Sequence, residues 1–385
     1  MDDYINKIPE FIDVIKTIKE SIIANIVLIG QIPAPTFKEK QRAQFFLERL
    51  AQAQVDECTV DGYQNPIGVI RGTSKNKPPI FIVAHLDTFF ARDVDHNYTV
   101  SENKIKGPGI LDNSIGVGVL ASLPDIFRQL DLRFESDIVL VGAIQSIGKG
   151  NLRGIRHLLK TWPSPIRGAI CIEGGQIGRL NFSTAGMIRL EIDCNISAGD
   201  DIERPFKPNA ILILNEIINQ ILEMRLPQKP RSRIIIGKIR GGYKHGVIAF
   251  DATLGLEIQS EAYRMVKKMF NDLKDIVEGT GHDHGVDLQM KTISNLNAAR
   301  LSYNHPLVKT AVAIMNKLDL KPISTPSESE LSIFLSHNVP AVTLGITRGE
   351  NIHLQSSTIE IEPMFKGIAQ IVGVTLAIDS GVCDE

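Results

Sequence analysis

Three short apolar runs, at residues 81–84, 137–144 and 168–172, constrain this chain most, because each reads as a parallel strand covered on both faces. The first delivers His85, Asp87 and Thr88 at its C-terminal end, and the third ends on Glu173-Gly174-Gly175. Open α/β sheets collect their ligands at that end of the strands. In an extended segment His85 and Asp87 point to the same side, which lets the aspartate hold the imidazole in the tautomer a metal needs. A strand-end histidine is as readily a satisfied polar residue. On the residues alone both readings stand.

Gly107, Gly109 and Gly116 punctuate the loop that presents Asp112 ahead of an apolar, small-residue helix predicted over 117–130. A carboxylate there either bridges metals or caps the helix, and Ser114 is the rival cap. Periodicity predicts one or two helices over 4–29, a helix over 39–54, alternating strands at 55–60 and 67–71, and a helix over 152–162. From about Met187 the pattern changes to alternating strands at 188–194, 233–239, 253–258 and 286–293, with helices at 209–224 and 261–277 between them. Four such strands and two helices predict an α+β sandwich with one face of its sheet covered. A helix over 306–317, a strand over 341–345 and a final helix over 363–378 return the chain to α/β character. The expected organisation is a discontinuous α/β domain with a mostly parallel sheet, residues 1–187 and 298–385, and an inserted domain, residues 188–297.

With 385 residues, 43% hydrophobic and 22% charged, the chain is long enough for two cores. A net charge of −2 and dispersed basic residues give no footprint for nucleic acid or an anionic membrane. No basic leader precedes the first helix and no stretch is expected to span a bilayer. Cys58, Cys171, Cys194 and Cys383 lack metal-type spacing and read as reduced thiols, which predicts a cytoplasmic protein. His282-Asp283-His284 reads as a solvated turn, with metal binding through i, i+2 side chains as the alternative.

The segments HLDT at 85–88 and GPGILDNSIGVG at 107–118 resemble the signature of the di-zinc exopeptidases and deacylases that include aminoacylase, acetylornithine deacetylase, succinyl-diaminopimelate desuccinylase and peptidase T. The similarity continues through NLRGIRHLL, CIEGG, NVPAVTLG and ENIH. It implies a zinc-exopeptidase-like catalytic domain and an inserted lid or dimerisation domain, with a small peptide or amino acid derivative as substrate. It also implies a first Zn²⁺ held by His85, Asp112 and Glu173, and a second sharing Asp112 and taking His353 and a glutamate. That glutamate belongs to a Glu-Glu pair after the strand at 137–144, where this sequence reads Gln145-Ser146-Ile147.

By that register Ser146 stands in the place of the general base and Ile147 in that of the second metal's ligand. Isoleucine has no lone pair to offer a metal, so one ion at most is expected. A serine hydroxyl is a poor base, and losing a general base costs about 10²–10⁴-fold in rate. Asp87 and Ser146 are the candidate catalytic positions. The resemblance also places Asp200 where an oxyanion donor belongs, Gly246 in the place of a lid asparagine and Gln259 in that of an arginine gripping the substrate carboxylate. Glu330 and Ser332 fall on a usual Asp-x-Asn, and Ser357 replaces a glutamate. The pattern predicts a hydrolase scaffold for peptide or N-acyl amino acid amide bonds with a degraded di-zinc centre. The alternatives are an active hydrolase with a non-standard base such as Glu330 or Glu173, and a non-catalytic binding protein that assembles through its lid.

Overall fold

The computed structural model describes residues 2–196, 208–327 and 329–384. The chain divides into two units, 1–183 with 300–385, and 184–299. These breaks fall a few residues from the ones expected at 187/188 and 297/298.

The larger unit is built on a seven-stranded mixed sheet. Its spatial order is Glu57–Val60, Pro66–Ile70, Ile138–Ala143, Ile80–His85, Gly168–Glu173, Ala341–Gly345, Leu180–Asn181. The four strands from Ile138–Ala143 to Ala341–Gly345 run parallel, while the flanking pairs are antiparallel. Ile138–Ala143 and Ile80–His85 are buried at every residue, which is why they carry no polar alternation. Ile80, Ile82, Ile138, Leu140, Ile170 and Val342 join a core with the helices Lys19–Gly30, Ile115–Gln129, Pro306–Lys317 and Glu362–Asp379. On the alternate face Phe81 meets Trp162 and Phe334 edge to face. Helix Leu331–Ser336, which supplies Phe334, was not anticipated, being too short to show a helical period.

The run Ile110–Gln129 is long and apolar enough by composition to cross a membrane, contrary to expectation, but it is 89% buried inside the protein. An all-round apolar surface is what a helix enclosed in a core requires.

The smaller unit is a four-stranded antiparallel sheet ordered Ser232–Gly241, Asp251–Ser260, Gly186–Asn195, Asp287–Leu296. Ile188, Leu190, Ile192, Leu254, Leu256 and Ile258 face helices Ala210–Glu223 and Tyr263–His284 through Ile213, Ile217, Met269 and Leu273. Burying one such side chain contributes about 1.5–3 kcal/mol. Intervening strand residues pair with each other, as Arg189 does with Glu257 at 2.5 Å and Lys238 with Glu191 at 2.8 Å.

His282, Asp283 and His284 form the last turn of helix Tyr263–His284 rather than a loop, and His284 meets Glu216 at 2.7 Å. Gly279 and Gly281 do not stop this helix, since an interior glycine costs only about 1 kcal/mol. It stops at Gly285, whose φ of 62° is the left-handed cap that glycine adopts freely.

Candidate metal centre

Three elements converge at the C-terminal edge of the parallel strands. Strand Ile80–His85 ends on His85, strand Gly168–Glu173 ends on Glu173, and the turn Ile110–Ser114 supplies Asp112. One ligand-type atom from each lies within 4.8 Å of the others. The His85 Nδ1 faces the main-chain carbonyl of Asp87 at 3.0 Å, which leaves Nε2 toward Asp112 Oδ1 at 3.1 Å. The tautomer is thus set by the Asp87 backbone. The Asp87 carboxylate, expected to do this, stands 3.5 Å from Nδ1. Its Oδ2 instead accepts from the Thr36 hydroxyl and the Ile147 N–H, both at 2.8 Å.

Asp112 does not act as a helix cap, and the Ser114 side chain makes no cap bond either. The Ser114 hydroxyl accepts from Arg42 at 3.2 Å. Arg42 is fully buried and also donates to the carbonyls of Gly30 and Ile32 and, at 3.0 Å, to that of Leu86. One guanidinium therefore ties the end of the His85 strand to the Asp112 turn. Sequence reading missed it, because a lone arginine in a predicted helix reads as solvated. Beneath it Glu39, 4% exposed, accepts the N–H groups of Phe37 and Gln145 at 3.0 Å.

Electrostatics at the cluster match its burial. Burial lowers the pKa of His85, but the hydrogen bond to Asp112 and the nearby Asp87 carboxylate more than offset this and hold it well above the usual imidazole range. Burial raises Asp112, yet the hydrogen bond and charge of His85 leave it below the usual carboxylate range. Burial, and then the Asp112 charge, push Glu173 up to about 7 against the pull of His85 and Arg179. Two crowded carboxylates and one imidazole are a donor set that a divalent cation relieves. They fit Zn²⁺ in number and type, with a fourth position open.

The residues expected around a second ion are not gathered in this way. Ile147 offers the site a backbone N–H through Asp87 and nothing more among its described hydrogen bonds. His353 is exposed and packs edge to face on Phe89 at 5.3 Å; its charge acts on Asp112, but it is not among the clustered donors. Ser146 is buried and donates to Glu330 Oε1 at 2.5 Å, with Glu330 itself 3% exposed. Ser332 turns its hydroxyl back to Ser329, and the buried Ser357 hydroxyl finds no partner.

In the smaller unit Gln259 is 3% exposed and held between Arg233 at 2.5 Å and Glu257 at 2.9 Å, so its amide is committed within its own sheet. Gly246 lies in an exposed turn. Asp200 lies outside the described residues. Arg179, whose charge acts on both Asp112 and Glu173, was not singled out from sequence, and no spacing rule would have found it.

Neither a family model nor a curated protein matches the sequence. Solved structures do match over nearly the whole chain. The di-peptidase Dug1p of Saccharomyces cerevisiae is 11% identical with a TM-score of 0.79, over 97% of this chain and 99% of that one. Aminopeptidase PepT from Bacillus cereus ATCC 10987 is 15% identical with a TM-score of 0.71, over 94% and 98%. The YXEP protein of Bacillus subtilis, described as a dinuclear metal-binding peptidase of the M20 family, is 14% identical with a TM-score of 0.63, over 93% and 99%. The chain therefore has the fold of these solved peptidases, a mixed-sheet α/β unit with a separate four-stranded α+β unit.

Proposed function

We propose that this chain is a hydrolase scaffold for amide bonds of peptides or N-acyl amino acids, with a centre that holds one divalent cation, Zn²⁺ by its donor chemistry, and with the hydrolysis typical of its fold impaired or lost. The observation that carries this reading is the unequal surroundings of Asp112: a buried His85 and a half-buried Glu173 gather with it, while Ile147 has no donor for a second ion. A bound zinc supplies Lewis acidity toward a carbonyl oxygen. Around it, His85, Asp112 and Glu173 would hold the ion, and Asp87 and Thr36 would fix the His85 strand end. Elemental analysis of the purified protein, together with dipeptide and N-acetyl amino acid assays, tests the reading. One zinc per chain with little turnover is expected, and two zincs with ordinary turnover would overturn it.

A second reading is favoured by the Ser146 to Glu330 hydrogen bond at 2.5 Å, which sets a buried carboxylate beside the place of the missing base. Here Glu330 takes the proton and Ser146 orients it, and hydrolysis persists. Substituting Glu330→Gln decides between the two. If the wild type hydrolyses an amide and E330Q does not, while both keep their metal, the second reading holds. A homodimer joined through the smaller unit accords with the exposed Ile235 and Ile239 on its edge strand Ser232–Gly241. A monomer at all concentrations would count against that assembly.

A further inference from the structure

We infer that Arg179 is an anion-binding residue beside the His85, Asp112 and Glu173 cluster, and that the ligand group it takes is the free carboxylate of an N-acyl amino acid or peptide. This rests on the amide-substrate reading for the rest of the ligand, and adds the charged group that ligand must carry.

Several observations converge on the Arg179 fork. Its Nη1 stands 3.9 Å from Glu173 Oε2, within ion-pair range but beyond a hydrogen bond. Its Nη2 reaches only the neutral Gln176 Oε1, at the long distance of 3.4 Å. Its Nε is buried and has no partner. A guanidinium has five N–H donors arranged to meet a planar carboxylate in two parallel bonds, and an enclosed donor left unpaired costs about 1–3 kcal/mol. The side chain is 23% exposed, so an incoming ligand can reach it.

The backbone beneath it is fixed in advance. Ile177 N–H donates to Thr347 at 3.0 Å, Arg179 N–H to Gln176 at 2.9 Å, and the Arg179 carbonyl accepts from Gly345 at 3.3 Å. Gly178 has a φ of 92°, and a Cβ there would come within 2.5 Å of the Lys321 carbonyl oxygen, so only glycine lets the loop close in this way. A rigid loop thus carries an under-satisfied cation beside the metal-ligand cluster. Gln259 meanwhile is locked to Arg233 and Glu257 in its own sheet, so the position expected to grip a carboxylate cannot do so. Arg179 supplies the missing charge from the larger unit itself.

The test is calorimetric titration of the protein as isolated with N-acetyl-L-leucine and with N-acetyl-L-leucinamide, metal content being measured alongside. The acid is expected to bind at least about tenfold more tightly than the amide, the worth of one charge-assisted pair. Arg179→Gln should erase that preference without lowering metal content, and Arg179→Lys should restore part of it, since lysine keeps the charge but loses the fork. Equal binding of acid and amide by the wild type, or binding of neither, overturns the inference. So does an R179Q protein that still prefers the acid, because the carboxylate would then be held elsewhere. A wild type that prefers the acid but holds no metal would instead sink the one-metal reading and leave the Arg179 site standing.

Discussion

Asp112 has two unlike sides. On one, His85 is buried and Glu173 half-buried, and behind them Arg42 bonds the Leu86 carbonyl and Ser114, Thr36 bonds the Asp87 carboxylate, the Asp87 carbonyl meets His85, and Glu39 holds the Gln145 N–H. On the other, Ile147 presents an alkyl chain, Ser146 is turned to Glu330, and His353 lies exposed against Phe89. Ligand atoms are only as well placed as the groups behind them. The first side has two candidate ligands and groups that support them. On the second, residue 147 carries only an alkyl side chain, and its backbone N–H donates to Asp87 on the first side.

The largest effect should come from the shared ligand. Asp112→Ala is expected to weaken zinc binding by more than about 100-fold, exceeding what loss of an outer partner does, as read by competition with a chelating dye. If both sides of Asp112 were equally poor, this substitution would change little.

Arg42→Met comes next. It leaves the carbonyls of Gly30, Ile32 and Leu86 and the Ser114 hydroxyl short of a donor, so a loss of about 3 kcal/mol is expected in denaturant unfolding. Zinc affinity should fall by about 10–100-fold under conditions where the variant stays folded. Stability lost with affinity unchanged would show that Arg42 serves the core alone.

Ile147→Glu addresses the poorer side directly. It should raise bound metal from one toward two ions per chain, because Asp112 and His353 would gain a third donor. A metal content that stays at one would mean that His353 does not come within reach.

Asp384→Asn, on the ion pair with Arg167 near the chain end, is the small control. The Arg167 hydrogen bond, the largest influence, holds the Asp384 carboxyl below its usual range. A carboxylate depressed by folding adds stability above its unfolded pKa, near 3.8, and loses it as pH falls through the lower folded value. The Asp384 side chain is half exposed, so at most about 1 kcal/mol is expected at neutral pH, vanishing in acid, with metal affinity unmoved.

Much of this was legible in the sequence because buried parallel strands leave a plain mark. The runs ending at His85 and Glu173 carry no polar residue for several positions, and the helix Pro306–Lys317 and strand Ala341–Gly345 fall where periodicity sets them. Resemblance then supplied which strand ends matter. Elements whose stability comes from neighbours rather than from their own pattern stayed hidden. Leu331–Ser336 is one short apolar turn, and the small sheet formed by Thr99–Val100, Lys104–Lys106, Gly349–Glu350 and Thr358–Glu360 has strands of two or three residues. Arg42 and Arg179 were hidden for a related reason. Their roles depend on which oxygens the fold brings to them, and residue type alone assigns arginine to the surface.

Anomalous scattering at the zinc edge from crystals grown with the metal tests the asymmetry around Asp112 most directly. The account predicts one peak, enclosed by His85, Asp112 and Glu173. Two peaks about 3.5–4 Å apart, the second between Asp112 and His353, would contradict it.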